Sequence, residues 1–168
     1  MSVVLPPMTR AQTEAWSALL DLSAHHPTGW TLVGGQMVHG VSGGTTIETP
    51  GAQQALDRTE RVDVILGDRS GSVRRPNLLG ALVAKAAAHS VVRDRVRARH
   101  LIDFAVLTTL IRPSDAVNEA GRRDRSYLEA LIGAMTADRR TWAGVEGADD
   151  GLARLRLALS PPPRRSPR

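Results

Sequence analysis

The spacing of hydrophobic positions changes along the chain, and the change falls near residue 75. Before it, short apolar or β-branched runs alternate with two helical patterns, and the segment 67–75 is polar and predicts a loop or hairpin connection. The predicted strands are 30–33, 45–49 and 61–66. The predicted helices run from Thr9, as N-cap, to about Ala24 and over 52–59.

After residue 75 the apolar positions recur with the period of a helix. Pro76 stands where the first of these helices begins. The predicted helices are 77–90, 94–111, a short segment capped by Ser114, 122–138 and 149–159.

These patterns predict an α+β fold, with a small mixed sheet flanked by helices and an all-helical C-terminal half. They divide the chain into an α/β part over 1–75, a helical part over 76–160 and a disordered proline and arginine tail over 161–168.

Composition narrows the possible classes of protein. Aromatic residues make up 3% of the chain, so Leu, Val, Ile and Ala must build the core, which favours helices. The absence of cysteine excludes disulfides, thiol catalysis and cysteine-ligated zinc. No apolar run is long enough for a membrane span, and the N-terminus lacks the pattern of a signal peptide. We therefore expect a cytoplasmic protein that does not bind a membrane.

The positive charge is mostly arginine and is unevenly placed. The net charge is +5, and three arginines of the tail 161–168 account for part of it, so the remainder carries +2. A nearly balanced body gives little support for nucleic-acid binding. Lys85 is the only lysine in the chain.

Lys85 lies on the apolar line of its predicted helix, and Asp103 lies on a matching line of the next helix. A buried ammonium needs a partner, although a lysine that reaches the helix edge with its charged end is an equal alternative. In a sharp hairpin the two residues are offset by about 7 Å along the axis. Direct contact then needs a tilt or a longer loop, and His100 or Arg97 is an alternative neighbour of Lys85.

Gly34 and Gly35 stand between a predicted strand and a predicted helical turn. Glycines there allow a ligand to approach the backbone, and the N–H groups of a helix start bind phosphate. A tight turn that requires a positive φ is the alternative. His39 follows four residues after Gly35 and could line the same site, with a structural role as its alternative.

Several segments resemble one known family. Trp30-Thr-Leu-Val-Gly-Gly-Gln-Met-Val-His39 resembles the opening motif of the nucleotidyltransferase fold, and looks most like bacterial AbiEii-type toxins and related minimal nucleotidyltransferases. The segments 45–56 and 77–85 resemble later parts of such proteins. Arg99-His-Leu-Ile-Asp103 resembles the family's C-terminal Arg/Lys…Asp element.

The resemblance implies a toxin–antitoxin type of enzyme that transfers a nucleotide from a nucleoside triphosphate to a hydroxyl of RNA or protein, with Mg²⁺ as cofactor. It implies nucleotide binding at Gly34 and Gly35, to which His39 could contribute from its position, and catalytic roles for Lys85 and Asp103.

The chain departs from the family at the metal site. The family places Asp-x-Asp or Asp-x-Glu on the strand after the Gly-Gly helix, whereas this chain passes from His39-Gly40 directly to Val41-Ser-Gly-Gly. The nearest acids do not reproduce that pattern; they are Glu48, Asp57, Glu60 and Asp63. The sequence thus reads as if several dozen residues were absent at Gly40–Val41.

We therefore expect a nucleotidyltransferase-like protein that has no metal ligand pair and is inactive. We also expect one sheet face to be poorly covered, with an apolar patch that a protein partner could occupy. The alternatives are a non-enzymatic helical interaction module and a weak nucleic-acid binder that uses the Arg-rich helix and the tail.

Overall fold

The computed structural model describes residues 2–32, 51–91 and 97–160. In chain order their elements are β1 (Ser2–Val4), α1 (Arg10–His25), α2 (Ala52–Asp57), β2 (Thr59–Leu66), β3 (Arg69–Pro76), α3 (Leu78–His89), α4 (Arg97–Thr109), a 3₁₀ turn (Val117–Glu119), α5 (Arg122–Ala137), α6 (Arg139–Trp142) and α7 (Ala148–Leu159). The α+β class and the helical C-terminal half are confirmed.

The three described strands form one mixed sheet in the order β1-β2-β3. β1 pairs with β2 in parallel, with Val3 beside Val64, and β2 pairs with β3 antiparallel, with Val62 opposite Val73. Gly67 and Asp68 form the two-residue turn between β2 and β3, and Gly67 adopts a φ of +60°, which favours glycine.

Helix α1 covers one face of this sheet. The β2 side chains Val64 and Leu66 and the β3 side chain Val73 are buried with Leu20 of α1. The Thr9 side chain accepts a hydrogen bond from Gln12 N–H, and the Gln12 side chain accepts one from Thr9 N–H, so both ends of this capping box are satisfied.

The opposite sheet face carries Arg61, Asp63, Ser70 and Ser72, and also Ile65, which lies beside Val4 of β1. The apolar patch that we predict on an uncovered face is thus limited to Ile65 and Val4 among mainly polar strand residues. The physical reason is the alternation in β2, which places its valines on the face that α1 covers. The exposed apolar strand residues lie on β1, where Val4 is 70% exposed.

The helical half has a separate hydrophobic core. Phe104, the only phenylalanine of the chain, is fully buried at its centre, where α4 lies between α3 and α7. Among the described residues, the other large hydrophobic side chains that are almost fully buried are Leu82, Val83, Val117, Leu128, Leu131, Met135 and Leu155. Aliphatic packing thus replaces the aromatic packing that the composition lacks.

Several predictions for the sheet half were wrong in detail. Residues 30–32 lie beside β3 with one backbone hydrogen bond, from Leu32 N–H to Arg74 C=O, and do not form a strand. The segment 67–75, predicted as a loop or hairpin connection, is a two-residue turn followed by most of β3, because the short turn allows the polar segment to pair along β2. The strand β1 and the helix α6 were not predicted. The predicted strand 45–49 and the tail 161–168 lie outside the described residues.

Within the described ranges, the helices are too short or too polar to cross a membrane.

Gly151 of α7 packs directly against the backbone of α4. A Cβ there would lie 2.6 Å from the backbone C and O atoms of Thr108, so Gly151→Ala must separate two packed helices. We expect a loss of about 1–3 kcal/mol in the free energy of unfolding, measured by urea denaturation.

Gly133→Ala in α5 is the matched control, since a Cβ at Gly133 meets no atom within 4 Å. There we expect a gain of about 0.5–1 kcal/mol from the helix preference of alanine. Equal effects at the two glycines would contradict the close approach of α7 to α4.

Candidate functional site

Lys85 is placed at the border of the buried face of α3. The helix begins after Asn77, whose side-chain Oδ1 accepts a hydrogen bond from Gly80 N–H at 2.9 Å. Leu82 and Ala86 on the same helix are buried, whereas the Lys85 side chain is 27% exposed. The lysine side chain therefore lies at the helix edge, where it is partly exposed.

The Lys85 ammonium contacts the Asp103 carboxylate of α4. The distance from Lys85 Nζ to Asp103 Oδ2 is 2.6 Å, and the Asp103 side chain is 32% exposed. Asp103 is therefore the partner of Lys85, and the expected axial offset does not keep the two residues apart. Their catalytic role stays a prediction.

A second cation lies near the same carboxylate. Arg99, one turn earlier on α4, places its Nε 3.9 Å from Asp103 Oδ2, and its own side chain is 73% exposed. His100, predicted as an alternative neighbour of Lys85, is buried in α4. The side chain of Arg97, the other alternative, lies outside the described part. The cluster of Lys85, Arg99 and Asp103 has one excess positive charge at a partly exposed position, and this arrangement suits an anionic ligand.

The predicted nucleotide-binding residues Gly34, Gly35 and His39 lie outside the described residues, so their placement relative to Lys85 stays a prediction.

The acids that the structure describes do not fit a two-metal site. Glu60 and Asp63 lie on opposite faces of β2, since their separation of three residues reverses the direction of the side chain. Glu60 pairs with Arg75 at 3.0 Å, and Asp57 accepts a hydrogen bond from Gln53 at 2.6 Å. In the described ranges, no three His, Asp or Glu side chains gather closely enough to hold a metal ion. Carboxylates that are separated and already paired cannot replace the Asp-x-Asp pair.

Two arrangements were missed by the sequence analysis. Arg58 pairs with the buried carboxylate of Asp124 at 2.6 Å, and this contact joins residues 66 positions apart, for which no local pattern exists. Arg61 and Arg74 lie opposite each other on β2 and β3 and line a cleft at the sheet edge. The Gly67-Asp68 pair was the available signal for the hairpin that brings these two arginines together.

Comparisons of the chain with protein-family models, curated proteins and solved structures found no match.

We expect different losses in the free energy of unfolding when the acid of the Lys85–Asp103 pair and the acid of the Arg58–Asp124 pair are neutralised. Asp103→Asn should lower the free energy of unfolding by less than about 1 kcal/mol, because the pair with Lys85 is partly exposed to water. Asp124→Asn should lower it by about 3 kcal/mol, because that carboxylate is 6% exposed and its loss leaves Arg58 without a buried counter-charge.

Urea denaturation of the two variants beside the unchanged chain measures both costs. A loss at Asp103 as large as that at Asp124 would assign the Lys85–Asp103 pair a structural role.

Proposed function

We propose that this chain is a nucleotidyltransferase-like protein that retains an anion-binding lysine but does not transfer nucleotides. The single observation that carries the proposal is the contact between Lys85 Nζ and Asp103 Oδ2 at 2.6 Å. The two residues come from the two segments that resemble the family's lysine helix and its Arg/Lys…Asp element, and they are 18 positions apart.

The chemistry of the pair supports a role in holding phosphate. Asp103 keeps the lysine side chain in one orientation, while partial exposure leaves the remaining donors of the ammonium available to a ligand. Arg99 adds a guanidinium beside the same carboxylate. A triphosphate that approaches α3 and α4 thus meets two cations and one acid.

The expected loss of nucleotide transfer follows from the missing carboxylate ligands of the metal site. Phosphoryl transfer depends on positioning and on neutralisation of charge by metal ions bound to carboxylates. Between Gly35 and Ala55 the chain has one acid, Glu48. The described acids nearest in sequence are separated and paired. Lys85 and Arg99 can attract a triphosphate, but they do not hold both the attacking and the leaving oxygen.

The first test is label transfer. Incubation of the purified protein with labelled nucleoside triphosphates, Mg²⁺ and bulk tRNA should give no labelled RNA or protein, because the metal ligands are missing. Robust transfer that is abolished by Lys85→Ala would contradict the proposal and would show that other acids bind the metal.

The second test is nucleotide binding measured by calorimetry, for which we expect a positive result. ATP should bind equally well with Mg²⁺ and with EDTA, and Lys85→Ala should weaken binding by about tenfold, as expected for one charge-assisted hydrogen bond. Arg140→Ala on α6 is the control and should leave the affinity unchanged. Equal effects of the two variants would contradict a site at Lys85.

A second function, as a helical interaction module, is favoured by a separate observation on α4. Ile102 and Val106 of α4 and Leu110, which directly follows its last residue, are exposed by 41%, 47% and 55% at a spacing of four residues, and we call this line the α4 stripe. Isolated exposed apolar residues are common, but a line at helical spacing is typical of a face that binds another helix.

The charges beside the α4 stripe indicate the partner. Arg99 lies at one end of it. Arg154 lies beside the other end, since its Nη2 donates to Thr109 C=O at 3.3 Å. Two copies of the chain packed stripe to stripe would bring arginines together, whereas an amphipathic helix with acidic flanks would pair with them. We therefore propose an acidic amphipathic helix as the partner.

Two synthetic peptides with one apolar face and either Glu or Lys flanks test this function by fluorescence polarisation. The Glu-flanked peptide should bind at least about tenfold more tightly, because only its charges oppose the arginines. Val106→Glu should abolish binding, whereas Val4→Glu, which changes an exposed valine of β1, should not.

Equal binding of both peptides, or self-association of the chain in sedimentation, would contradict an acidic helical partner. Loss of binding with Val4→Glu alone would move the partner surface to the sheet.

A further inference from the structure

A cleft of about 420 Å³ lies between the C-terminal end of α1 and the β3 edge of the sheet. Its charged lining residues are Asp21 on α1, Arg61 on β2, and Arg69 and Arg74 on β3. Three cations and one acid give the lining a net charge of +2. This site belongs to the sheet half and shares no residue with the cluster around Lys85.

Arg61 and Arg74 are direct cross-strand partners in the antiparallel pair. Their side chains therefore project from the same face, and like charges in this position destabilise a sheet. Arg61 Nε lies 3.8 Å from Asp63 Oδ1, and both side chains are mostly exposed, so this contact neutralises little of the charge. A bound anion between the two guanidinium groups would remove the repulsion.

Arg74 is held in place by neutral groups. Its Nε donates to Trp30 C=O at 3.3 Å, and its Nη1 donates to Pro27 C=O at 3.4 Å. Within the described ranges, no carboxylate forms an ion pair with it. The backbone between α1 and residue 32 thus orients this guanidinium without cancelling its charge, which is the arrangement of a preorganised anion site.

Arg69 and Asp21 neutralise each other. The distance from Arg69 Nη2 to Asp21 Oδ1 is 2.7 Å, and Arg69 Nη1 donates to Ser17 Oγ at 2.7 Å. The single acid of the cleft is therefore already paired, and it does not repel an anion bound between Arg61 and Arg74.

The outer edge of β3 adds neutral donors. Leu32 N–H donates to Arg74 C=O at 2.7 Å, so the backbone polar groups of Arg74 point away from β2. Since this direction repeats every second residue, the N–H groups of Ser72 and Ser70 also point outward along the edge. Both serines line the cleft, and their hydroxyls are further donors.

We propose that this cleft binds the phosphate groups of a small ligand, either a free polyphosphate or the phosphate chain of a nucleotide. Guanidinium groups match the oxygens of phosphate in pairs, and serine hydroxyls and backbone N–H groups complete such sites. A volume of about 420 Å³ lies in the range of small-molecule sites and is adequate for a nucleotide.

The experiment is a calorimetric titration with inorganic pyrophosphate and with ADP at low salt. Both ligands are titrated into the unchanged chain and into the variant Lys85→Ala. In the variant, binding near Lys85 does not contribute. Arg61→Gln should weaken pyrophosphate binding by about tenfold or more, because it removes one charged donor. Arg61 is the preferred position, since replacement of Arg74 also releases the carbonyls of Trp30 and Pro27.

Arg75→Gln is the matched control. This arginine is adjacent to Arg74 on β3, projects from the other face and pairs with Glu60. It should leave the affinity within about twofold, and thermal melting confirms that each variant is folded. Similar affinities for pyrophosphate and ADP support a free polyphosphate as the ligand, whereas tighter binding of ADP supports a nucleotide.

Three results would overturn the proposal. They are no binding at millimolar pyrophosphate, equal losses for Arg61→Gln and Arg75→Gln, and loss of pyrophosphate binding in Lys85→Ala alone. The last result would place the anion at the Lys85 cluster and would leave the proposed function intact. If Lys85→Ala did not weaken ATP binding, the proposed function would be contradicted, whereas the proposal for the cleft would be unaffected.

Discussion

The ion pair between Arg58 and Asp124 joins the two halves of the molecule. Arg58 stands between α2 and β2, and its backbone C=O also accepts the N–H of Asn77, which caps α3. One residue thus contacts the start of β2, the start of α3 and the start of α5. Because the Asp124 carboxylate is buried, an alternative orientation of the sheet would leave a buried charge unpaired. This penalty favours the observed placement of the sheet against the helices.

The helical elements could be predicted because their signals are local. Thr9 and Asn77 are side-chain caps at the places where the structure begins its helices, and the apolar spacing after each cap is regular. Strand β3 has no such signal, since Val73 is its only large apolar residue. The formation of β3 depends on a turn of two residues and on the register with β2. The spacing of apolar residues predicts neither of them.

The same contrast between local helix signals and strand register distinguishes the Lys85 cluster from the cleft at Arg61 and Arg74. Lys85 and Asp103 each occupy the apolar line of a predicted helix, so the rarity of lysine and the matching lines were enough to name Asp103 as a candidate partner, although not to establish the contact. The pairing of Arg61 with Arg74 could not be predicted in this way, because a shift of one residue would place the two side chains on opposite faces. For charged groups on strands, knowledge of the register must precede any inference about chemistry.

The parallel pairing of β1 with β2 also has a consequence for synthesis on the ribosome. Val3 pairs with Val64, so the first strand emerges about 60 residues before its partner. During this interval α1 can form, but the β2 and β3 side chains that cover Leu20 have not yet emerged. The N-terminal segment must therefore remain exposed until the hairpin is complete, and the closure of this long loop makes its docking a late step of folding.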